Sequence, residues 1–228
     1  MSIDRCSPSI ATPAFDTTPA SHRLDWRPVS ASEFAARESL SACARLVAEL
    51  RAHALVIGEV TLTSGATATY YVDAKRAILR PEGFHALATL VAARAREWDA
   101  TAVGGMTMGA DPIACAALAG GAQAKAFLVR KETKAHGLQR RIEGPPLTPE
   151  DRCLVVEDVL TTGGSALAAI DALREAGHTI CGVVSVLDRL AGGGAAIEAA
   201  AGAPYVALTT IDDVYPERPD RDGDPERM

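Results

Sequence analysis

Aromatic residues are scarce in this chain of 228 residues, where phenylalanine, tryptophan and tyrosine together account for 4%. Hydrophobic residues nevertheless make up 48% of the chain, so a substantial core is expected in which aliphatic side chains and alanine dominate. No run of 18 apolar residues occurs, and a membrane-spanning helix is therefore not expected. The first 28 residues also lack the apolar segment of a secretory signal peptide.

An excess of positive charge is missing as well. The net charge of −6 and the isoelectric point near 5.4 argue against general affinity for nucleic acid, which requires a basic face. The five cysteines are an odd number and never occur in CxxC spacing, so buried free thiols are expected rather than disulfides or a zinc site. These features favour a cytoplasmic protein without a nucleic-acid or membrane partner.

The order of apolar and polar segments divides the chain into four parts. A polar, proline-containing leader is predicted over 1–28, a helix and two short strands over 29–80, an α/β core over 81–212 and a charged tail over 213–228. From residue 101 onward, apolar strands alternate with helices. This alternation is typical of an α/β fold with a central, mostly parallel sheet flanked by helices.

The segment between Leu154 and Ser165 is the most informative, because an apolar strand leads there into two acids, a glycine-containing loop and a helix. Glu157 and Asp158 fall where the strand is predicted to end, in the usual ligand crevice of an open α/β sheet. Two carboxylates at that place can accept hydrogen bonds from neighbouring ribose hydroxyls. The loop offers hydroxyl groups, backbone N–H groups and a helix N-terminus to a phosphate. Its candidate residues are Val159, Leu160, Thr161, Thr162, Gly163, Gly164 and Ser165.

A basic stretch after the predicted strand at 126–130 is the second informative feature. Six potential cations lie there within twelve residues of an otherwise acidic protein. A long polar loop in a compact domain is often a lid or a binding loop, and positive charge suits a pyrophosphate leaving group. A merely solvated charged loop is the alternative. The six residues are Arg130, Lys131, Lys134, His136, Arg140 and Arg141.

Several separated segments resemble one enzyme family, in the family's order along the chain. Residues 155–165 resemble the phosphoribosyl pyrophosphate (PRPP) motif of type I phosphoribosyltransferases, whereas the classical P-loop GxxxxGK[ST] is absent. The RKxxKxHG stretch from Arg130 resembles the catalytic loop of orotate phosphoribosyltransferases. Residues 62–73 resemble that family's early signature near the orotate pocket, and Arg189 stands where the family places an arginine for the substrate carboxylate. The resemblance covers about residues 35–210.

The resemblance implies the type I phosphoribosyltransferase fold, in which a small N-terminal hood accompanies the core. It also implies transfer of ribose 5-phosphate from PRPP to orotate, giving orotidine 5′-phosphate and pyrophosphate in pyrimidine biosynthesis. A homodimer is implied, with the catalytic loop shared across the subunits. Mg²⁺ is implied as the cofactor, held mainly by PRPP itself, with Asp158 as the nearest protein carboxylate.

The resemblance also assigns roles to individual residues. Residues 157–165 bind the ribose and the 5-phosphate in this assignment, and Thr161 and Arg189 hold orotate. The cations that contact the phosphates of PRPP are Arg130, Lys134 and His136 of the same subunit and Lys131 of the neighbouring one.

The chain departs from the family pattern at two places. Many members carry lysines where this chain has Thr63 and Met108, so two expected cations are missing near the substrates. Three other interpretations stay open: phosphoribosyl transfer to another base, a non-enzymatic PRPP-sensing regulator, and a plain α/β interaction domain. A regulator of that kind needs a basic nucleic-acid-binding module, for which the leader is too short and too polar.

Overall fold

A computed structural model describes residues 30–61, 67–131 and 141–221 of the chain. Its strands are β1 (Leu55–Thr61), β2 (Thr67–Val72), β3 (Ala102–Met106), β4 (Lys125–Val129), β5 (Ile142–Glu143), β6 (Arg152–Leu160), β7 (Thr179–Asp188) and β8 (Tyr205–Thr210). Its helices are α1 (Ala31–Glu49), α2 (Lys75–Ile78), α3 (Pro81–Glu97), α4 (Asp111–Ala119), α5 (Gly164–Glu175), α6 (Gly193–Ala201) and α7 (Ile211–Val214). A π-helical turn, Leu50–Ala54, follows α1 directly.

The core is built on a six-stranded sheet in the order β5-β4-β3-β6-β7-β8, in which every neighbouring pair is parallel except β4 and the short edge strand β5. β6 lies at the centre, where Val155 pairs with Gly104 of β3 and with Val183 of β7. This position explains the continuous apolar run of β6, because helices cover both faces of a central parallel strand. The predicted central, mostly parallel sheet is confirmed.

Helices flank the sheet on both faces, and each face has its own hydrophobic cluster. On one face Leu154 and Val156 pack with residues of α1, α3 and α4. On the other face Cys153 and Val155 pack with residues of α5 and α6. The alternation of side chains along β6 thus divides one apolar run between two layers. Alanine and aliphatic side chains fill both layers, as predicted, and Phe127 is the one aromatic among the largest fully buried side chains of the described ranges.

A small hood, formed by β1, β2 and α2, precedes the core. β1 and β2 form an antiparallel pair with Leu55 opposite Val72, and the chain then continues through α2 into α3. α1 packs against α3, which places α1 in the same hydrophobic cluster as one face of the sheet. The start of α2 reaches the carboxyl end of the sheet, where Lys75 contacts Asp158. The expected hood is therefore present beside the predicted ligand crevice.

The structure differs from the predicted elements in three respects. β6 runs to Leu160 rather than to 157, because β7 continues beside it after β3 has ended. The sequence does not predict β5, α2 and α7, because two to four residues leave no periodic pattern. Cys115 is exposed rather than buried, whereas Cys153 and Cys181 are buried as expected. The four cysteines within the described ranges are free thiols.

The boundaries at 28, 80 and 212 stay predictions. The residues after 212 pack onto the molecule as far as they are described, since Val214 is buried and Tyr215 contacts Tyr70. Residues 1–29 and 222–228 lie outside the described part of the chain. Within that part, no helix combines the length and the apolar character that a membrane span requires.

Glycine is required where β3 passes β4. A Cβ added to Gly104 would collide with the carbonyl oxygen of Phe127, a backbone atom held in the sheet. We therefore expect Gly104→Ala to lower the free energy of unfolding by roughly 2 kcal/mol or more. Gly164→Ala is the matched control: nothing lies within 4 Å of its added Cβ, and its stability is expected to be unchanged or raised. Urea-induced unfolding compares the two variants, and equal stabilities would contradict the prediction.

Candidate active site

A cavity of about 530 Å³ opens at the carboxyl end of the parallel strands, the side predicted for ligand binding. β6 with its following loop forms one wall, the loop after β3 forms another, and the hood contributes the start of α2. The lining residues are Tyr71, Val72, Lys75, Met106, Thr107, Met108, Gly109, Lys131, Glu157, Asp158, Val159, Thr161, Ser165 and Arg189. The predicted acid pair, the predicted phosphate loop and Arg189 therefore meet in one place.

The acid pair lies on a stretch of β6 that has lost one neighbour. Pairing with β3 ends at Val155, whereas pairing with β7 continues, so Glu157 and Asp158 follow the point where the sheet opens. Glu157 is 6% exposed, and one of its carboxyl oxygens has no hydrogen-bond partner. Burial, followed by the interaction with Asp158, raises the pKa of Glu157 to about 8. A buried, incompletely bonded carboxyl group in a cavity is typical of a ligand-binding site.

Lys75 is the counter-ion of the acid pair. Its Nζ lies 3.0 Å from Oδ2 of Asp158 and 2.8 Å from Oδ1 of Asp73. Partial burial disfavours the charged ammonium, but the hydrogen bonds to Asp73 and Asp158 outweigh that effect and raise the pKa of Lys75. The sequence does not single this lysine out. Its only signal is that it follows, by two residues, the early signature that ends at Asp73.

The loop between β6 and α5 has the geometry of an anion site. Gly163 adopts a left-handed backbone with φ of 88°, and an added Cβ would meet Ile197 at 3.2 Å, so both angle and space favour glycine. α5 begins at Gly164, which leaves the N–H groups of its first turn without helical partners. Thr161 and Ser165 line the cavity beside them. This combination suits a phosphate.

The remaining residues of the predicted loop contribute less through their side chains. Leu160 is buried in the core, and its carbonyl accepts a hydrogen bond of 2.9 Å from the backbone N–H of Arg189. Thr162 is exposed but does not line the cavity. Val159 lines the cavity and donates its N–H to Oδ1 of Asp158 at 2.9 Å. The loop therefore acts mainly through its backbone, Thr161 and Ser165.

Close approach of the backbone shapes the opposite wall. The loop after β3 passes Asp158 so closely that a Cβ on Gly109 would collide with its carboxylate. Thr107 donates through Oγ1 to Asp111 at 2.7 Å, which ties this loop to the start of α4. Met108, where the resemblance leads us to expect a lysine, is 73% exposed and lines the cavity with an apolar side chain. The glycine-rich segment from Gly104 to Gly109 indicates a tight turn, but the sequence does not predict that this turn lies against the acid pair.

The structure places the first two residues of the predicted basic stretch beside the cavity. Lys131 lines the cavity of its own chain, although the resemblance assigns this lysine to the neighbouring subunit's site. Nη1 of Arg130 lies 3.7 Å from Oε1 of Glu143 on β5. A neighbouring cavity of about 520 Å³ is lined by both cations and by part of the loop after β3. Two further segments lie outside the described residues. One contains the predicted residues Lys134, His136 and Arg140, and the other is 62–66, which contains Thr63.

Arg189 follows β7 and lies over the ring of Tyr70, with its Cζ 4.7 Å from the ring centroid. Arg189 and the adjacent Asp188, both within the described residues, form no ion pair. The carboxylate of Asp188 instead accepts hydrogen bonds from the hydroxyl of Tyr205 (2.9 Å) and from the N–H of Leu190 (2.7 Å). Arg189 therefore lines the cavity as a cation held by an aromatic ring, which leaves its charge available to an anionic ligand.

Sequence comparison points to the same enzyme family as the motifs. No protein-family model matches the chain. The orotate phosphoribosyltransferase of Corynebacterium glutamicum is 48% identical over 178 residues, which cover 78% of this chain and 94% of that protein. The chain belongs to the orotate phosphoribosyltransferase family. A second orotate phosphoribosyltransferase, from Streptomyces avermitilis, is also 48% identical, over 164 residues that cover 70% of this chain and 90% of the relative.

Solved structures of orotate phosphoribosyltransferases have the same fold. The Mycobacterium tuberculosis H37Rv enzyme in complex with Fe(III) dicitrate matches with a TM-score of 0.69 and 43% identity, over 76% of this chain and 99% of that one. The same enzyme in complex with PRPP matches with a TM-score of 0.65 and 38% identity, over 76% and 98% of the two chains. The predicted type I phosphoribosyltransferase fold and the family resemblance are confirmed, and the interpretation as a plain interaction domain is excluded.

Burial of Glu157 should destabilise the unliganded protein. Its pKa rises from an ordinary value of 4.5 to about 8 on folding, so folding takes up a proton between these values and stability falls as the pH rises through this window. Glu157→Gln removes the ionisation. We expect this variant to melt roughly 3 to 8 °C above the parent at about pH 8.5, with a smaller difference at about pH 5.

Thermal unfolding at the two pH values measures the effect. Asp171→Asn, which removes an exposed acid on α5, is the matched control and should melt with the parent at both. A parent that is as stable as Glu157→Gln at the higher pH would contradict the assignment of Glu157 as a buried carboxyl group with a raised pKa.

Proposed function

We propose that this chain transfers the 5-phosphoribosyl group of PRPP to N1 of orotate, releasing pyrophosphate and giving orotidine 5′-phosphate, a step in UMP biosynthesis. The bond between C1′ and the pyrophosphate oxygen breaks, a bond between C1′ and N1 forms, and N1 loses its proton, which the departing pyrophosphate can accept. The observation that carries the proposal is that the acid pair, the phosphate loop and Arg189 line one cavity. Family membership supports it, because the relatives at 48% identity are named for this activity.

The ribose and its 5-phosphate occupy the β6 side of the cavity in this proposal. The two ring hydroxyls donate to Glu157 and Asp158, and the 5-phosphate accepts from the backbone of the loop at 161–165 and from the first turn of α5. Because the acids and the loop are consecutive in the chain, one rigid strand–loop–helix unit holds both ends of the sugar phosphate. Rigid placement of C1′ lowers the entropic part of the barrier.

Orotate occupies the space between the hood and the end of β7. The planar guanidinium of Arg189 matches a carboxylate in bidentate fashion, which a lysine would do less well. Thr161 offers a hydroxyl to the base, and Tyr71 lines the same cavity with an aromatic ring that suits a planar pyrimidine. These contacts hold N1 toward C1′ and exclude water that would otherwise hydrolyse PRPP.

The pyrophosphate leaves toward the basic stretch. Developing negative charge on the leaving oxygen is stabilised by cations that are already in place, and Lys131 lines the cavity on this side. We assign the same role to Arg130, Lys134 and His136 on the strength of the resemblance, with proton donation by His136 as a further contribution. A homodimer that shares this loop between subunits is part of the proposal.

Mg²⁺ is proposed to accompany PRPP. Among residues 30–61, 67–131 and 141–221, no three His, Cys, Asp or Glu side chains are grouped to hold a metal ion. The acid pair still offers oxygen ligands, among them the unpartnered carboxyl oxygen of Glu157, and Asp158 beside it. Such a donor set fits Mg²⁺, which favours oxygen and keeps substrate phosphates and waters in its shell. When bound, the ion would offset the negative charge of the substrate.

Lys75 adds a residue to this scheme. Its ammonium holds Asp158 on the side of the hood and offsets the charge of the acid pair, so that an anionic substrate can approach. The missing lysines at Thr63 and Met108 are thereby replaced in part by a cation from another position.

The proposed organisation of the chain is a leader (1–28), an N-terminal helix with the hood (29–80), the catalytic core (81–212) and a charged tail (213–228). We propose that the protein works in the cytoplasm.

Transfer to orotate tests the proposal directly. Loss of orotate absorbance is expected with PRPP and Mg²⁺ and not in EDTA, whereas uracil, adenine, hypoxanthine and xanthine should not react, because they lack the carboxylate for Arg189. Consumption of a purine but not orotate, or PRPP binding without any transfer, would refute the proposed activity.

Lys134→Ala should lower kcat by about 100-fold or more without changing the melting temperature.

Lys75→Met keeps the length of the side chain and removes its charge. Loss of the charge-assisted hydrogen bonds to Asp158 and Asp73 is expected to raise KM for PRPP roughly 10-fold or more, with a change of about twofold or less for orotate. Lys75→Arg should restore part of the loss. Arg76→Met, which removes an exposed charge one residue further along α2, is the control and should leave both constants unchanged. Equal effects of Lys75→Met on both substrates would remove Lys75 from the PRPP site.

A further inference from the structure

The C-terminal segment, residues 215–221, folds back onto the hood. The ring of Tyr215 meets the ring of Tyr70 on β2 edge to face, with centroids 5.4 Å apart and an interplanar angle of 79°. The hydroxyl of Tyr70 donates to Oδ2 of Asp220 at 2.9 Å. Two different contacts from one segment thus converge on one tyrosine of the hood.

An ion-pair network keeps Asp220 in place. Nε of Arg218 lies 3.0 Å from Oδ1 of Asp220, and the same guanidinium pairs with Asp212 of α7. The side chain of Arg218 is only 9% exposed, so solvent and salt screen these pairs less than they screen surface pairs. Asp220 is therefore linked to α7 through the charge of Arg218, without a hydrogen bond at its Oδ1, while its Oδ2 accepts the hydrogen bond from Tyr70.

Tyr70 in turn contacts Arg189 through the face of its ring. The tyrosine is 3% exposed, and the guanidinium of Arg189 lies 4.7 Å from the centroid of its ring. A phenol that donates its proton toward a carboxylate has a more electron-rich ring, which strengthens the attraction for a cation on its face. An arginine held in this way has lost rotamer freedom before a ligand arrives, and this lowers the entropic cost of binding.

We infer that the C-terminal segment is a positioning element for Arg189 and thereby sets the affinity for orotate. The inference rests on the proposed function, since it takes Arg189 to bind the orotate carboxylate. Tyr70 and Asp220 do not line the cavity themselves and act through the arginine. The segment lies beyond the part of the chain, about residues 35–210, that the family resemblance covers. It is thus a feature of this chain that the resemblance leaves without a role.

Steady-state kinetics with separate KM values tests the inference. Asp220→Ala is expected to raise KM for orotate about 5- to 20-fold, with kcat and KM for PRPP changed by about twofold or less. Tyr70→Phe, which keeps the ring and loses the hydroxyl, should act in the same direction, and Tyr70→Leu, which also loses the ring face, should act more strongly. Glu217→Ala removes the same charge from an exposed residue of the segment and should leave all three constants unchanged.

Combination with Arg189→Gln shows whether the segment acts through the arginine. In that background Asp220→Ala should have no further effect on KM for orotate, because the residue that it positions is gone. Equal changes in the two KM values, no change in either, or an undiminished effect in the Arg189→Gln background would each overturn the inference.

A measurement without substrate separates this inference from the proposed activity. The ¹⁵Nε–¹H signal of Arg189 should be sharp and slowly exchanging in the parent and in Glu217→Ala, and broadened in Asp220→Ala. If the parent does not consume orotate but shows this contrast, the proposed activity fails while the positioning of Arg189 stands. If the signal is the same in all three proteins, the inference is wrong whatever the activity.

Discussion

The ion pair between Lys75 and Asp158 is the contact on which the arrangement of the site depends. It joins the hood to the central strand of the core across 83 residues of chain. Two adjacent acids at the mouth of a cavity repel each other, and burial has already moved Glu157 toward its neutral form. A cation from the hood supplies the opposing charge and leaves the acid pair facing the cavity. The hood therefore takes part in the electrostatics of the site as well as in its shape.

Charge in the cavity is distributed over separate elements. The acids come from β6, whereas the cations come from α2, from the end of β7 and from the end of β4. The chain as a whole has a net charge of −6, so local placement and not overall charge makes this edge of the sheet suitable for anionic substrates. Lys75 and Lys131 supply cations in a site that has Met108 at a position where a lysine is expected. The same local charge can thus be assembled from different sequence positions.

Much of the fold and the centre of the site are predictable because the residues that form them are consecutive in the sequence. The apolar run of β6, the acid pair and the loop at 161–165 form one uninterrupted segment, and its order predicts its geometry. Other features have no such local pattern. The end of β6 depends on how far β7 accompanies it, and the exposure of Cys115 depends on which side of α4 is covered. A lysine beside a signature looks like any solvent-exposed lysine until its partner is known.

The sequence by itself determined the alternating strands and helices, the two-sided burial of β6 and the order of strand, acid pair, loop and helix that we propose binds ribose and phosphate, because hydrophobic periodicity and turn chemistry act over a few neighbouring residues. Only the tertiary structure decided that Lys75 reaches Asp158, that Gly109 passes the acid pair and that Asp220 holds Tyr70 beneath Arg189. These contacts join residues that are distant in the chain. Their partners are set by strand order and by the packing of the hood and the chain end onto the core, which no local pattern encodes.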